Sequence, residues 1–117
     1  AALLYASNLL KSDNLGERIV KEACKKPFVQ ILVNAGYDKT EAEIWANKLS
    51  ENSKYWEGFN IKTKEIINME EAGILDPSKV TITALQNAAS VAGTILLTEC
   101  VVVDHPEQKE MTPSAQY

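Results

Sequence analysis

Two polar side chains, Asn60 and Asp76, are the strongest candidates for ligand binding in this sequence. The Asn60 amide can donate and accept hydrogen bonds at once, which suits the edge of an adenine base. Asp76 stands before Pro77 at the start of a long helical pattern, where its carboxylate is predicted to cap the helix. A carboxylate has several lone pairs, so the cap can also accept from ligand hydroxyl groups. A turn residue and a helix cap are the more common roles of these two residue types.

Other candidate catalytic or metal-binding residues are not spaced as catalysis or metal binding requires. His105 could pair with Cys24 or Cys100 as base and nucleophile, but no motif orders them for that role. Glu70 and Glu71 are neighbours on a predicted helical turn, so their carboxylates do not face each other. The two cysteines have no metal-ligand spacing, and no glycine-rich phosphate loop is present. We therefore predict no catalytic residue and no metal site.

Composition limits the class of partner. The chain has 117 residues, 45% of them apolar, which is enough for one domain with a core. The net charge of −4 and the absence of a basic stripe argue against nucleic acid. Trp45, Trp56 and Phe59 could stack on bases, but burial is the more common role of such aromatic residues. The apolar runs are too short to span a membrane, and the two cysteines are predicted to be reduced and packed.

Helical patterns fill the first half of the chain. Residues 2–11 form a helix that starts without a cap residue, which predicts that the sequence is a piece of a longer protein. A second helix covers residues 15–35, with a kink or restart at Pro27 and Gly36 after its end. Thr40 and Glu43 match a capping box for a third helix. Its buried face is predicted to be Ala42, Trp45, Ala46 and Leu49.

The second half of the chain is mixed. A loop at residues 50–54 is followed by a predicted β-hairpin at residues 55–67, which must pack on a helix or on missing chain to be stable. One helical turn then ends at Gly73. The last helix is predicted at residues 77–97 and is rich in small side chains.

An apolar strand is predicted at residues 100–104, without a local partner. The predicted fold is thus mainly α-helical with a small β-hairpin and one C-terminal strand. Residues 1–104 form the domain, and the polar tail at residues 105–117 is predicted to be disordered.

Five segments resemble, in order and spacing, the C-terminal part of the equatorial domain of group I chaperonins, the 60-kDa type. They are Gly58-Phe59-Asn60 and residues 73–80, 84–86, 88–93 and 98–100. The first helix is also similar to the one that follows the Gly-Gly-Gly turn of that family.

The resemblance implies one side of a nucleotide site. Asn60 would contact the adenine, Ile74 would cover the base, and Asp76 would bond the ribose hydroxyl groups. Ile61 and Lys62 would lie beside the base, where the family typically has two small residues. The family's phosphate- and Mg²⁺-binding loop and its catalytic aspartate have no counterpart in this sequence. ATP with Mg²⁺ is therefore the expected cofactor of the parent protein, and no hydrolysis is expected from this chain alone.

The resemblance also implies partners. They are identical subunits in two stacked seven-membered rings, a co-chaperonin lid and unfolded client proteins. Residues 38–41 match a region near the ring–ring contact, and the C-terminal strand matches one that pairs with an N-terminal segment and an adjacent subunit.

Two alternative functions stay open, and the differences from the family pattern also suggest a cellular compartment. A Lys62 that crowds the base would make the chain a non-enzymatic interaction module, and a self-sufficient core would make it a free-standing scaffold. The family's Gly-Gly-Met tail is missing. This favours the mitochondrial matrix or plastid stroma over a bacterial-type cytoplasm.

Overall fold

The computed structural model describes residues 1–52 and 54–104, and within them the chain is mainly helical with one two-stranded antiparallel sheet. This confirms the predicted fold class. The chain divides into two units, Ala1–Thr81 and Ile82–Tyr117, and each is described by itself. The elements are α1 (Ala2–Leu9), α2 (Leu15–Ala23), α3 (Lys26–Asn34), α4 (Lys39–Asn52), β1 (Glu57–Asn60), β2 (Glu65–Asn68) and α5 (Ser78–Leu96).

The break between α2 and α3 confirms the predicted restart at Pro27. Pro27 lies in the first turn of α3, where a missing N–H group costs no helical hydrogen bond. α2 begins with Asn14 as its N-cap, whose side chain accepts a hydrogen bond of 2.9 Å from the Glu17 N–H group. Both helices therefore begin with a residue suited to that position.

α3 ends in a Schellman motif, in which Gly36 has the C′ position that the sequence predicts. The Gly36 N–H group donates to the Val33 carbonyl at 3.0 Å, and the Tyr37 N–H group donates to the Leu32 carbonyl at 3.1 Å. Gly36 has a φ of +93°, which a residue with a Cβ adopts only with strain. The chain thereby reverses toward α4.

α4 begins differently from the prediction. The Asp38 carboxylate accepts from the Thr40 N–H group at 2.8 Å, so Asp38 is the cap and the capping box of Thr40 and Glu43 is wrong. Asp38 comes earlier in the chain and already satisfies a free donor of the first turn. The cap therefore lies two residues before the predicted one.

α4 also continues further than predicted, to Asn52, so residues 50–52 of the expected loop are helical. Ser50 is buried there, and its hydroxyl donates to the Asn47 carbonyl at 3.0 Å. A serine that bonds back to its own helix satisfies its hydroxyl without leaving the helical conformation. A polar composition was therefore a poor indication of a loop at this position.

The core of unit Ala1–Thr81 joins α1, α3, α4 and β1, and it confirms the predicted packing of the hairpin on helices. Trp45 is half-buried against this core, while Ala42, Ala46 and Leu49 are fully part of it, as predicted. The buried members are Leu4, Val29, Leu32, Ala42, Ala46, Leu49 and Phe59.

An aromatic row of Tyr37, Phe59 and Trp45 holds the hairpin on the helices. The ring centroid of Phe59 lies 5.9 Å from that of Tyr37 and 4.7 Å from that of Trp45. Lys64 lies over the Tyr37 ring at 5.9 Å, and Lys48 lies over the Trp45 ring at 4.7 Å. These distances are typical of aromatic and cation–π contacts.

The hairpin pairs Glu57 with Asn68 at its open end and Asn60 with Glu65 at its closed end. Between them, Gly58 is buried against Met69, and a Cβ built on Gly58 would lie 2.5 Å from the Met69 Cε atom. Glycine is therefore the residue that permits this close approach.

The predicted C-terminal strand, whose partner was expected from another chain or a removed segment, is not formed within the described residues. Residues 100–104 are irregular and exposed, because a strand requires a hydrogen-bonded partner and β1 and β2 pair only with each other. Cys100 is exposed, contrary to the prediction that both cysteines are packed, whereas Cys24 is buried. The predicted disorder at 105–117 concerns residues outside the described ranges.

Candidate functional site

The closed end of the hairpin fixes the Asn60 side chain. The Asn60 Oδ1 atom accepts a hydrogen bond of 2.9 Å from the Lys62 backbone N–H group, which is an Asx turn. The Asn60 carbonyl accepts from the Lys64 N–H group at 2.8 Å, and Lys64 has a φ of +60°. Because a backbone N–H group donates, the amide atom that faces it is the oxygen and not the nitrogen. Nδ2 makes no hydrogen bond within the described residues.

The two residues after Asn60 have different surroundings. Ile61 is half-buried and its side chain packs against the core, whereas the Lys62 side chain is exposed. Ile61, which stands where the family typically has a small residue, is therefore accommodated by the core. The loop presents its backbone, the Asn60 amide and the Lys62 side chain to the surroundings.

The second group of predicted site residues follows the turn after β2. The Ile74 N–H group donates to the Met69 carbonyl at 2.9 Å, and the Ile74 side chain is 50% exposed. Gly73, with a φ of +69°, allows this reversal. Ile74 is therefore held beside the open end of the hairpin with an apolar side chain available for contact.

Asp76 is not the helix cap that the sequence predicts. α5 begins at Ser78, and no hydrogen bond to the Asp76 carboxylate is present within the described ranges 1–52 and 54–104. The Pro77 carbonyl accepts from the Val80 N–H group at 3.0 Å, so the first turn closes one residue later than predicted. Asp76 is exposed, and its oxygens are available for other donors.

The structure does not join the two groups by a hydrogen bond. Asn60 lies at the closed end of the hairpin, while Ile74 is bonded next to its open end. Three residue pairs correspond to roughly 10 Å along a strand, a distance that a ligand with several rings could bridge. Burial lowers the pKa of the Ala1 amino group, and the Asp76 carboxylate partly raises it again. Asp76 therefore lies near the beginning of α1.

The alternative chemistry is not assembled in the described residues. Cys24 is buried, and desolvation raises the pKa of its thiol, which disfavours the reactive thiolate. Glu70 and Glu71 are both exposed. His105 lies outside the described ranges. No group of three or more potential metal ligands was found among the described residues.

A groove beside the hairpin was not predicted from the sequence. It has a volume of about 400 Å³ and is lined by Lys54, Tyr55, Trp56, Glu57, Ile66, Ile67 and Asn68. Tyr55 contacts Tyr5 of α1 and the neighbouring Trp56, with ring centroids 5.3 Å and 4.7 Å apart. The available signal was the pair of adjacent aromatic residues before β1, Tyr55 and Trp56, both of which remain exposed.

The helices were examined for membrane spans, and the sequence was compared with known protein families. In the part of the chain that the structure describes, no helix is long and apolar enough to cross a membrane. The model of the TCP-1/cpn60 chaperonin family matches residues 2–106, which include the core, the hairpin and both groups of candidate site residues. This match covers most of the chain and agrees with the family that the spaced segments resemble. The chain therefore belongs to the TCP-1/cpn60 chaperonin family.

Proposed function

We propose that this chain forms the adenine and ribose side of the nucleotide site of an ATP-driven, ring-forming chaperonin of the group I type. In this proposal it is the C-terminal part of the equatorial domain. The family match supports a chaperonin role, and the spacing of the matched segments supports the finer assignment. The observation that carries the proposal is the hairpin loop, where the Lys62 N–H group holds the Asn60 amide oxygen and the amide nitrogen has no hydrogen bond to a described residue.

The residues present fit a nucleoside. The Asn60 amide can donate to the base, and the exposed Ile74 side chain can cover the face of the ring. The Asp76 carboxylate, which no described residue bonds, can accept from the two ribose hydroxyl groups. These groups bind and orient; none of them supplies a nucleophile or a base. The bound nucleotide supplies the phosphoryl group for hydrolysis, which other residues of the parent protein must position.

The side chains of Ile61 and Lys62 bear on the alternative that the chain is a non-enzymatic interaction module. That alternative rests on crowding of the base by the Lys62 side chain. Ile61 packs against the core, so it stays clear of the base. Lys62 is exposed, and its flexible side chain can extend into solvent instead of over the base. A chaperonin that has lost nucleotide binding remains an outcome of the following experiment.

The experiment measures ADP binding to the assembled chaperonin that contains this chain, by isothermal titration calorimetry. Asp76→Ala is expected to weaken ADP binding by about tenfold to a hundredfold, the usual loss for hydrogen bonds to a charged group. Glu70→Ala removes an equally exposed carboxylate from the preceding turn and is expected to leave the affinity unchanged.

A nucleotide without ribose hydroxyl groups identifies the contact. The wild type should prefer ADP over 2′,3′-dideoxy-ADP, and Asp76→Ala should lose this preference. Lack of ADP binding by the wild-type assembly would contradict the proposed function and favour the interaction module. Equal losses with Asp76→Ala and Glu70→Ala would show a general charge effect instead of a ribose contact.

A further inference from the structure

We propose that Asn68, at the open end of the hairpin, is a positioning residue of the candidate nucleotide site. Its side chain closes the turn at residues 69–73, and this turn determines where Ile74 and Asp76 lie. The inference rests on the proposed function, because it concerns how two residues that would contact the nucleotide are held. Asn68 acts through the turn and does not itself bind the nucleotide.

The first step is the grip of the Asn68 side chain on the turn. Its Oδ1 atom accepts from the Glu70 N–H group at 3.0 Å and from the Glu71 N–H group at 3.4 Å. An asparagine side chain in this arrangement replaces a backbone acceptor and selects the turn conformation. Without this oxygen both N–H groups would be left to solvent, and the turn would lose the bonds that begin it.

The second step is the connection from this turn to Ile74. The Asn68 carbonyl accepts from the Ala72 N–H group at 3.1 Å, and the Met69 carbonyl accepts from the Ile74 N–H group at 2.9 Å. Both acceptors belong to the segment that the Asn68 side chain organises. The position of Ile74 therefore depends on the conformation that Asn68 selects.

The third step is the anchoring of the turn on the hairpin. Asn68 is the last residue of β2 and pairs with Glu57 of β1. The Met69 N–H group donates to the Trp56 carbonyl at 2.9 Å. Asn68 thus joins two parts of the chain, since its backbone belongs to the sheet and its side chain belongs to the turn.

The fourth step is the weak hold of other contacts on the two candidate ligand residues. The Ile74 side chain is 50% exposed, and Asp76 is exposed. Residues 74–77 are irregular, and α5 begins only at Ser78. The turn is therefore the nearest ordered structure before both residues. If the turn loosens, nucleotide binding must order them, and this cost lowers the affinity.

Hydrogen exchange tests the turn without nucleotide, on the assembled chaperonin that contains this chain. In Asn68→Ala, amide groups in the peptide of residues 69–76 are expected to exchange about fivefold or more faster than in the wild type. Asn68→Asp keeps an acceptor for the same two N–H groups and is expected to exchange like the wild type. Unchanged exchange in Asn68→Ala would overturn the proposal.

Calorimetry with ADP on the same assembly tests the consequence for binding. Asn68→Ala is expected to weaken ADP by about fivefold to tenfold. It is also expected to reduce the preference for ADP over 2′,3′-dideoxy-ADP, because a displaced Asp76 loses the ribose contact. Asn68→Asp should restore the affinity and the preference to within about twofold of the wild type. An equal loss in both variants would show that the acceptor oxygen is not the cause and would overturn the proposal.

Asn34 provides a matched control. Its Oδ1 atom also accepts an exposed hydrogen bond, from the Gln30 Nε2 atom at 2.8 Å, but this bond lies within α3 and closes no turn. Asn34→Ala is expected to leave the ADP affinity within about twofold of the wild type. A loss as large as that of Asn68→Ala would overturn the assignment to the turn.

The outcomes distinguish this inference from the proposed function. If the wild type and Asn68→Ala bind ADP equally tightly, while Asp76→Ala binds it more weakly, the inference is wrong and the proposed function stands. If the wild-type assembly binds no ADP, the proposed function fails and the inference fails with it.

Discussion

Asp38 shows how one side chain can determine the start of a helix. Its carboxylate accepts from the Thr40 N–H group at 2.8 Å, while its carbonyl accepts from the Ala42 N–H group at 2.9 Å. The hydrogen bond from the Thr40 backbone is the main reason that the pKa of Asp38 is lowered from its ordinary value of 3.8. The charged form is thus favoured in the folded chain.

This lowered pKa predicts a small, pH-dependent contribution to stability. Because the folded pKa of Asp38 lies below the unfolded value, the contribution is fully present above about pH 5 and is lost as the pH falls through the folded pKa. Asp38→Asn keeps a capping oxygen without a titrating charge. We expect the wild type to be more stable than Asp38→Asn at neutral pH, with the difference shrinking toward about pH 3.

Urea denaturation of the two proteins at both pH values measures this difference. The other carboxylates are common to both proteins, so their titration cancels in the comparison. A difference in urea midpoint that stays constant between the two pH values would contradict the role of the ionised Asp38.

At the candidate site, the family resemblance suggests which residues bind, but the sequence could not predict their hydrogen bonds. Family spacing pointed to Asn60 and Asp76, and both lie in the same unit. The partner of Asn60 depends on a backbone N–H group two residues away, and the freedom of Asp76 depends on where α5 begins. A sequence pattern cannot predict the first residue of a helix to within one residue, because neighbouring polar side chains compete for the cap position.

At the scale of elements, local patterns predicted the helices and the hairpin well. The restart at Pro27 and the end of α3 at Gly36 follow from backbone restrictions of single residues. The errors concern elements that depend on distant residues. Residues 100–104 have strand composition but no partner strand in the described chain, and Ser50 remains helical because the core covers it.

Gly36 and Gly93 form a matched pair that separates backbone strain from steric clash. A Cβ at either position would meet no atom within 4 Å. Gly36→Ala is expected to destabilise the chain by about 1–2 kcal/mol, because its φ of +93° disfavours a side chain. Gly93→Ala, inside α5, is expected to stabilise its helix by about 0.5–1 kcal/mol.

Denaturation followed by circular dichroism measures both effects. The opposite signs are the test, since two substitutions of the same size differ only in the backbone conformation that they enter. A Gly36→Ala protein as stable as the wild type would mean that the Schellman turn relaxes without cost.

At the scale of the whole molecule, burial is unevenly distributed. The core residues come from α1, α3, α4 and β1, all of which lie in unit Ala1–Thr81. α5 has no buried residue, although it carries many large apolar side chains. They include Val80, Leu85, Val91, Ile95 and Leu96, each at least 43% exposed.

Hydrogen exchange of the isolated chain should reveal this difference. Amide groups near Leu32, Leu49 and Phe59 are expected to exchange slowest, because their exposure requires opening of the core. Amide groups in the middle of α5 are expected to exchange on the order of a hundredfold faster, through local unfolding. Equal protection of α4 and α5 in the monomeric chain would contradict this view.

The compartment, the ring stoichiometry and the co-chaperonin stay predictions. The sequence could indicate them only through family resemblance, whereas the fold follows from periodicity and turn chemistry within the chain itself.

The aromatic row also has an optical consequence. Trp45 lies between Lys48 and the hairpin residue Phe59, whereas Trp56 is 41% exposed beside the groove. With Trp56 replaced by phenylalanine, the remaining indole would be a built-in fluorophore whose surroundings change when the hairpin leaves the helices. Its fluorescence emission would therefore report, in real time and without an added label, whether the hairpin that carries the candidate nucleotide loop is packed on the helices.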